Sequence, residues 1–301
     1  MLQLRGAITA LVTPMNSDGN VNYEGFRSLV RFQLEKGIDG LLPLGTTGET
    51  PTLTRDEQDR LIQIAVEEAG GKVPVIVGVG TNATSSTVAN AVRATELGAD
   101  CLLVVTPYYN KPSNEGIVRH FQAVAQALDT PILIYNIVGR TGKNIDIATM
   151  ERLAEIPSVI GVKASSGDIA QICDIIDRIS RPRRSSGRPF AVLSGDDAWA
   201  LALCALGGDG LVSVVSNLVP DRVVALVKAS LAGELEAAKE LHYGLLPLIR
   251  GAFIETNPVP IKQAMDWAGL PAGPVRMPLC ELEAANEPKL RAALAASGIN
   301  L

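Results

Sequence analysis

Residues 159–168 read VIGVKASSGD, and the fold follows from this stretch. A short apolar run ends in one lysine, Lys163, then gives way to small residues and an aspartate placed to cap a helix starting near Ile169. An apolar run bounded in this way predicts a parallel strand buried on both faces, with SSGD as a strand-to-helix loop. Lys163 then stands at the carboxyl end of a strand, where parallel α/β proteins gather their chemistry because loops and helix N-termini converge there. Taken alone, a lysine that carries its charge from the strand end into water accounts for the position equally well.

Outward from this stretch the same alternation recurs eight times. Strand-like runs at 7–12, 40–44, 74–79, 101–105, 132–136, 159–162, 191–194 and 210–215 are each followed by a segment of helical period. These helical segments lie near 22–36, 54–69, 84–97, 114–128, 146–156, 169–179, 197–206 and 219–232. Thr54 and Glu57 form a capping-box pair at the start of the second helix. Eight strand–helix pairs in about 230 residues predict a (β/α)8 TIM barrel over 1–233. The remainder, 234–301, is rich in Ala and Leu and predicts a C-terminal helical extension packed on the barrel, with Pro247, Pro258, Pro260, Pro271, Pro274 and Pro278 as breakers. A doubly wound open sheet is the alternative, but nothing marks a reversal of strand order and no GxGxxG follows the first strand.

Composition narrows the function. Hydrophobic residues at 47% and charged residues at 20% describe a globular protein with a large aliphatic core, since aromatics are only 4%. A net charge of -5 leaves no electrostatic footprint for nucleic acid or an anionic membrane. Cys101, Cys173, Cys204 and Cys280 are widely spaced, without CxxC, and His120 and His242 lie far from them, so no metal-ligand spacing exists. Buried free thiols in a reducing compartment are expected. The apolar stretch near the start of the sequence, broken by Thr9 and ended by Pro14, suits neither a signal peptide nor a membrane span, so a cytoplasmic location is expected. The basic run RPRRSSGR at 181–188 predicts a solvated loop on the bottom face, and GGDG at 207–210 a tight turn rather than a phosphate cradle.

In a barrel, the residues just after each strand share one face. The polar ones are Thr13, then Thr46, Thr47 and Glu49, then Asn82, then Tyr108, Tyr109 and Asn110. Tyr135, Asn136 and Arg140 follow the fifth strand, Lys163 the sixth, Ser194, Asp196 and Asp197 the seventh, and Ser213 the eighth. With no histidine and no metal cluster at the mouth, the set suits neither a Ser-His-Asp relay nor metal-assisted hydrolysis. It suits a Schiff base. A lysine amine with the ordinary pKa of about 10.4 is almost wholly protonated at neutral pH, and desolvation in an apolar mouth favours the free amine that attacks a ketone. Tyrosine and threonine hydroxyls can then pass protons, the GTTG backbone can meet a small carboxylate, and Arg140 can grip a second one. Each member also has a plainer account: Tyr135 as core, Tyr108 and Tyr109 as loop packing, Thr46 and Thr47 as turn caps, Arg140 paired with Glu49 or Asp146. Their joint occurrence on one face favours chemistry.

LVTPM at 11–15, GTTGE at 45–49, TPYYNKPS at 106–113, YNIVGRTG at 135–142, GVK at 161–163, SGDD at 194–197 and NPVPIK at 257–262 resemble the dihydrodipicolinate synthase family, almost end to end. That family, the 4-hydroxy-tetrahydrodipicolinate synthases, is of class I aldolase type and shares a superfamily with N-acetylneuraminate lyase. The resemblance implies condensation of pyruvate with L-aspartate 4-semialdehyde in lysine and diaminopimelate biosynthesis, with no cofactor beyond the enzyme's own lysine. It implies that Lys163 forms the Schiff base and Tyr135 gives and takes protons. Thr46 and Tyr109 complete the relay, Tyr109 reaching across a dimer interface. Thr47 and the Val212 backbone hold pyruvate, and Arg140 holds the semialdehyde carboxylate. A homotetramer built from tight dimers is implied.

Two alternatives remain at this stage: N-acetylneuraminate lyase or a 2-keto-3-deoxy sugar acid aldolase, which share the Schiff base, and a non-catalytic 2-oxo acid binding protein. Arg140 and the paired tyrosines favour an amino-acid semialdehyde over a sugar acid. Ala164, Ser165 and Ser166 depart from the acidic residue that many synthases carry after the lysine. Gln58 and Ser86 stand where lysine-regulated members carry a histidine and a glutamate, and Arg55 adds positive charge. A cationic effector loses its carboxylate partner there. Inhibition by L-lysine should therefore be weak or absent in initial-rate assays, and a millimolar or tighter inhibition constant would contradict this.

Overall fold

The computed structural model describes residues 2–299. Its strands are β1 (Gly6–Ala10), β2 (Gly40–Leu42), β3 (Ile76–Gly78), β4 (Cys101–Val105), β5 (Ile132–Asn136), β6 (Val159–Ala164), β7 (Ala191–Ser194) and β8 (Gly210–Ser213). All pair in parallel in the order β2-β1-β8-β7-β6-β5-β4-β3, and a parallel bridge between Leu41 and Val75 joins the two ends of this order. The result is a (β/α)8 barrel, as the alternation predicts. Outside it lie α1 (Tyr23–Glu35), α2 (Arg55–Ala69), α3 (Thr84–Glu96), α4 (Asn114–Ala127), α5 (Val138–Thr141), α6 (Ile147–Ala154), α7 (Ile169–Ile175), α8 (Arg181–Ser185), α9 (Ala200–Ala205) and α10 (Pro220–Ala232). After these come α11 (Leu235–Gly251), α12 (Val259–Trp267) and α13 (Glu287–Ala296).

Alternation along the strands sorts side chains into two cores. Ile8, Leu42, Ile76, Leu103, Leu133 and Leu193 point inward and fill the barrel, while a larger cluster lies between the strands and the helices. Burying each such side chain contributes about 1.5–3 kcal/mol. Near the top of the inner layer, β5 and β6 pair in register with Tyr135 opposite Lys163. Here the structure departs from the sequence reading: β6 continues through Ala164, because Asn136 and Ser194 still pair with that residue on either side. Lys163 thus projects from within the strand rather than from the loop after it. The expected capping box is present, with Thr54 Oγ1 accepting from the Glu57 amide (3.3 Å) and Glu57 accepting from the Thr54 amide (2.8 Å).

Three expectations change. The basic run is not a free loop: α7 passes through a π-helical turn at Ile176–Ser180 into α8, whose Pro182 sits in the first turn, where a missing N–H costs least. Its arginines are tethered to the barrel floor, Arg184 to Asp209 (2.8 Å) and Arg183 to the Ala154 carbonyl and the face of Phe190. Pro247 lies inside α11 and Pro260 within the first turn of α12, so neither breaks a helix. Of the four free cysteines, only Cys101 and Cys204 are buried; Cys173 and Cys280 are exposed.

The extension returns to the carboxyl-end face of the barrel through an ion pair sealed from water. Lys262, on α12, donates to Glu49 (2.7 Å) and to the carbonyls of Thr13 (3.0 Å) and Pro274 (2.6 Å). The two side chains of the pair are 2% and 1% exposed. Burial lowers the Lys262 pKa from its ordinary value, while the Glu49 carboxylate opposes that shift. Arg276 adds a second tie, giving its backbone amide to Glu49 (2.8 Å) and its guanidinium to Glu57 through two bonds (2.8 and 2.5 Å). That grip holds the Glu57 carboxyl at about 2, well below the usual range.

Removing one member of a buried pair leaves the other charge unpaired, at a cost of about 3–5 kcal/mol. Lys262→Met and Glu49→Gln should each lose about that much unfolding free energy in denaturant titrations, and the double variant should lose less than the sum. Single variants as stable as the wild type would show that the pair does not hold the extension in place.

Candidate active site

The site is assembled at the carboxyl ends of the strands. β2 leaves the barrel through Leu44, whose φ of 56° turns the chain outward. β3 leaves room for that turn at Gly78, where a Cβ would lie 1.9 Å from the Leu44 carbonyl oxygen. The GTTGE segment then coils into a short 3-10 turn, Thr46–Gly48. Its closing amides, Gly48 and Glu49, bond back to the Gly45 and Thr46 carbonyls (3.0 and 3.1 Å), which leaves the Thr46 and Thr47 amides at its open N-terminal end. The turn is pinned by Thr13, which donates to the Gly48 carbonyl (2.7 Å), and by Glu49, held at φ 54° by the Lys262 and Arg276 contacts. Both Thr13 and Glu49 therefore serve the loop.

Lys163 is 5% exposed and its Nζ lies 4.1 Å from the centre of the Tyr135 ring. The contrast with Lys262 is chemical. Lys262 gives its ammonium to three oxygens, whereas Lys163 belongs to none of the ion pairs formed among the described residues. Gly195 makes room for it: a Cβ there would sit 2.8 Å from Lys163 Cε and 2.0 Å from Ser165 Oγ. Beside it, a cavity of about 370 Å³ opens between β2, β3, β4 and β5, and Thr46, Tyr108, Tyr135 and Arg140 are among its walls. It runs on to Gln58, whose amide donates to the Thr50 and Leu53 carbonyls (3.3 and 3.2 Å). Lys163, Thr47 and Val212 are buried at the barrel top rather than on the cavity wall.

Not every residue on the sequence-derived face joins this group. Asn136 turns to Asn144 (2.8 Å) and the Ile145 amide (3.2 Å), and Ser194 caps its own turn on the Asp196 carbonyl (2.7 Å). Arg140 pairs with neither Glu49 nor Asp146; its guanidinium donates to the Asn257 carbonyl (3.2 Å). Tyr109 stands apart: it is 89% exposed, at φ 69°, and the chain does not bring it to the cavity, which Tyr108 lines instead. Sequence reasoning missed Asn257, whose side chain reaches Thr47 (2.9 Å), and gave no role to Gly195. Asn257 opens the NPVPIK run, but no periodicity says where an extension will land.

Asp197 lies behind the lysine, fully buried, accepting from Ser213 Oγ (2.5 Å) and the Val214 amide (3.0 Å). Burial pushes its carboxyl from about 3.8 up to about 6, against the pull of those two bonds and of Lys163. A carboxyl whose pKa is raised on folding binds its proton more tightly in the native state. Its contribution to stability is complete below the unfolded value and is lost as pH rises through about 6. The unfolding free energy of the wild type minus that of Asp197→Asn should therefore fall by up to about 3 kcal/mol between about pH 4 and pH 7. Parallel stability curves for the two proteins would exclude this coupling.

The model of the dihydrodipicolinate synthetase family matches residues 3–297. The 4-hydroxy-tetrahydrodipicolinate synthase of Protochlamydia amoebophila is 49% identical over 289 residues, 96% of this chain and 95% of its own. The solved dihydrodipicolinate synthase of Thermotoga maritima is 41% identical with a TM-score of 0.94, over 98% of this chain and 99% of its own. That of Acinetobacter baumannii, chloride-inhibited and complexed with pyruvate, is 37% identical with a TM-score of 0.94, over 99% of this chain and 100% of its own.

Proposed function

The chain belongs to the dihydrodipicolinate synthetase family, and from that premise we propose that Lys163 is the amine on which its chemistry runs. The protein is a 4-hydroxy-tetrahydrodipicolinate synthase, a class I aldolase-type lyase that condenses pyruvate with L-aspartate 4-semialdehyde in lysine and diaminopimelate biosynthesis. The observation that carries the assignment to Lys163 is its contrast with the other buried lysine: in no ion pair among the described residues, 5% exposed, and 4.1 Å from a tyrosine ring.

The Lys163 amine adds to the pyruvate ketone, and the carbinolamine loses its oxygen as water to give an iminium. Loss of a methyl proton gives the enamine. Its carbon attacks the aldehyde of the second substrate, whose oxygen takes up a proton and becomes the 4-hydroxyl. The amine of that substrate then adds to the imine carbon and expels Lys163 as the ring closes. The net change is loss of one water. Tyr135 gives and takes the protons, with Thr46 and the partner subunit's Tyr109 completing the relay. Thr47 and the Val212 backbone hold the pyruvate carboxylate, and Arg140 holds that of the semialdehyde. No cofactor enters these steps.

Exposure of Tyr109 in the single chain supports an assembly in which two copies complete each other's sites, within a homotetramer of tight dimers. No helix among the described residues is long and apolar enough to cross a membrane, in keeping with a cytoplasmic biosynthetic enzyme.

Borohydride reduction with pyruvate, followed by peptide mapping, should place a pyruvate-derived adduct on Lys163, and Lys163→Ala should abolish it. Tyr135→Phe should lower kcat roughly a hundred- to ten-thousand-fold, the usual weight of a proton-transfer group. A folded protein that gives no adduct would return Lys163 to a structural role.

A further inference from the structure

We propose that Asn257 is a positioning residue that sets the polarity of the Thr47 hydroxyl, holding it as a hydrogen-bond donor to the pyruvate carboxylate; this rests on Thr47 being a pyruvate-binding residue. Asn257 comes from the extension, just before α12, and is 5% exposed. Its side-chain Nδ2 donates to Thr47 Oγ1 at 2.9 Å, and its own backbone carbonyl accepts from Arg140 at 3.2 Å. One residue thus touches both proposed substrate grips.

The direction of the first bond matters. A threonine hydroxyl has one hydrogen to give and two lone pairs, whereas an amide nitrogen only donates. With Nδ2 occupying one lone pair, the Thr47 hydrogen is directed elsewhere, free for an anion. The amide orientation follows from burial. Asn257 Oδ1 has no partner among the described residues. Turning the amide over would leave both N–H groups unpartnered, and unpaired buried donors are rarer than under-satisfied carbonyl oxygens. The backbone on either side is held as well. Lys262 returns its amide to the Pro258 carbonyl (3.0 Å), and its ammonium locks α12 to the GTTGE turn through Glu49.

The test turns on a nearly isosteric change. In Asn257→Asp, the carboxylate can only accept, so Thr47 must give its hydrogen to residue 257 and loses it for the substrate. Pyruvate KM should rise about ten- to a hundredfold, more than in Asn257→Ala, where the hydroxyl is merely released. It should recover as pH falls far enough to protonate the new carboxyl. Semialdehyde KM in Asn257→Ala should stay within about twofold, because the carbonyl facing Arg140 is retained. A purely structural role reverses the order, with Asp milder than Ala, and would overturn the proposal. A double-mutant cycle needs only the alanine variant: in a Thr47→Val background, Asn257→Ala should leave pyruvate KM unchanged within about twofold, and a further large rise would also overturn it. If Thr47→Val alone leaves pyruvate KM unchanged, the role of Thr47 falls, and that of Asn257 with it.

Discussion

The contact on which the site depends is the buried bond between Lys262 and Glu49. Glu49 has a left-handed backbone, which a non-glycine residue adopts at a cost of about 1–3 kcal/mol unless its surroundings hold it there. They do so through both carboxylate oxygens, one bound to the Lys262 ammonium and the other to the Arg276 amide. Because Glu49 ends the turn that begins at Thr46, the strain fixes where Thr46 and Thr47 stand relative to the strand ends. The extension is therefore not an appendage in mechanical terms. Its helix α12 sets the geometry of a loop more than two hundred residues earlier in the chain, and Asn257 carries the same influence to within one bond of the proposed pyruvate grip.

Two buried lysines sit at the same end of one barrel in opposite surroundings. Lys262 donates to three oxygens, one of them from the Glu49 carboxylate, and so is committed to holding the extension. Lys163 rises from the inner layer beside an aromatic face, with Gly195 clearing the space that a side chain would take. Contacts with three oxygens make Lys262 a clamp; Lys163 has an aromatic face and open space beside it instead. Asp197 lies close enough to Lys163 to feel its charge, yet both its oxygens are already committed to Ser213 and Val214, so it supports the end of β8 rather than pairing with the lysine.

The fold was legible because parallel strands buried on both faces leave continuous apolar runs, and eight of them alternating with helical segments admit few arrangements. The strand ends were less so. Lys163 looked like the first residue beyond β6 because charge usually marks a boundary, but backbone pairing with β5 and β7 continues past it. Prolines misled in the extension for a related reason: Pro260 falls in a first turn, where it costs nothing, and its residue type cannot say so. The strand-end set named Lys163, Tyr135, Thr46 and Arg140 because a barrel brings such ends together by topology. Asn257 could not be found this way, since its place is set by tertiary packing of a segment with no periodic relation to the barrel.

Tyr109 shows the limit of a single chain. A large aromatic ring, 89% exposed, leaves its apolar surface in water, while the left-handed turn that carries it is closed by the Asn110 amide on the Tyr108 carbonyl (2.8 Å). Burying such a ring against a second copy would contribute about 1.5–3 kcal/mol. Its neighbour Tyr108 turns inward to line the cavity, so the TPYYN segment divides its two rings between the chain's own site and the surface. Under the proposed assembly that division has a mechanical consequence. The proposed relay would be complete only when two copies meet, tying catalysis and association to the same few residues.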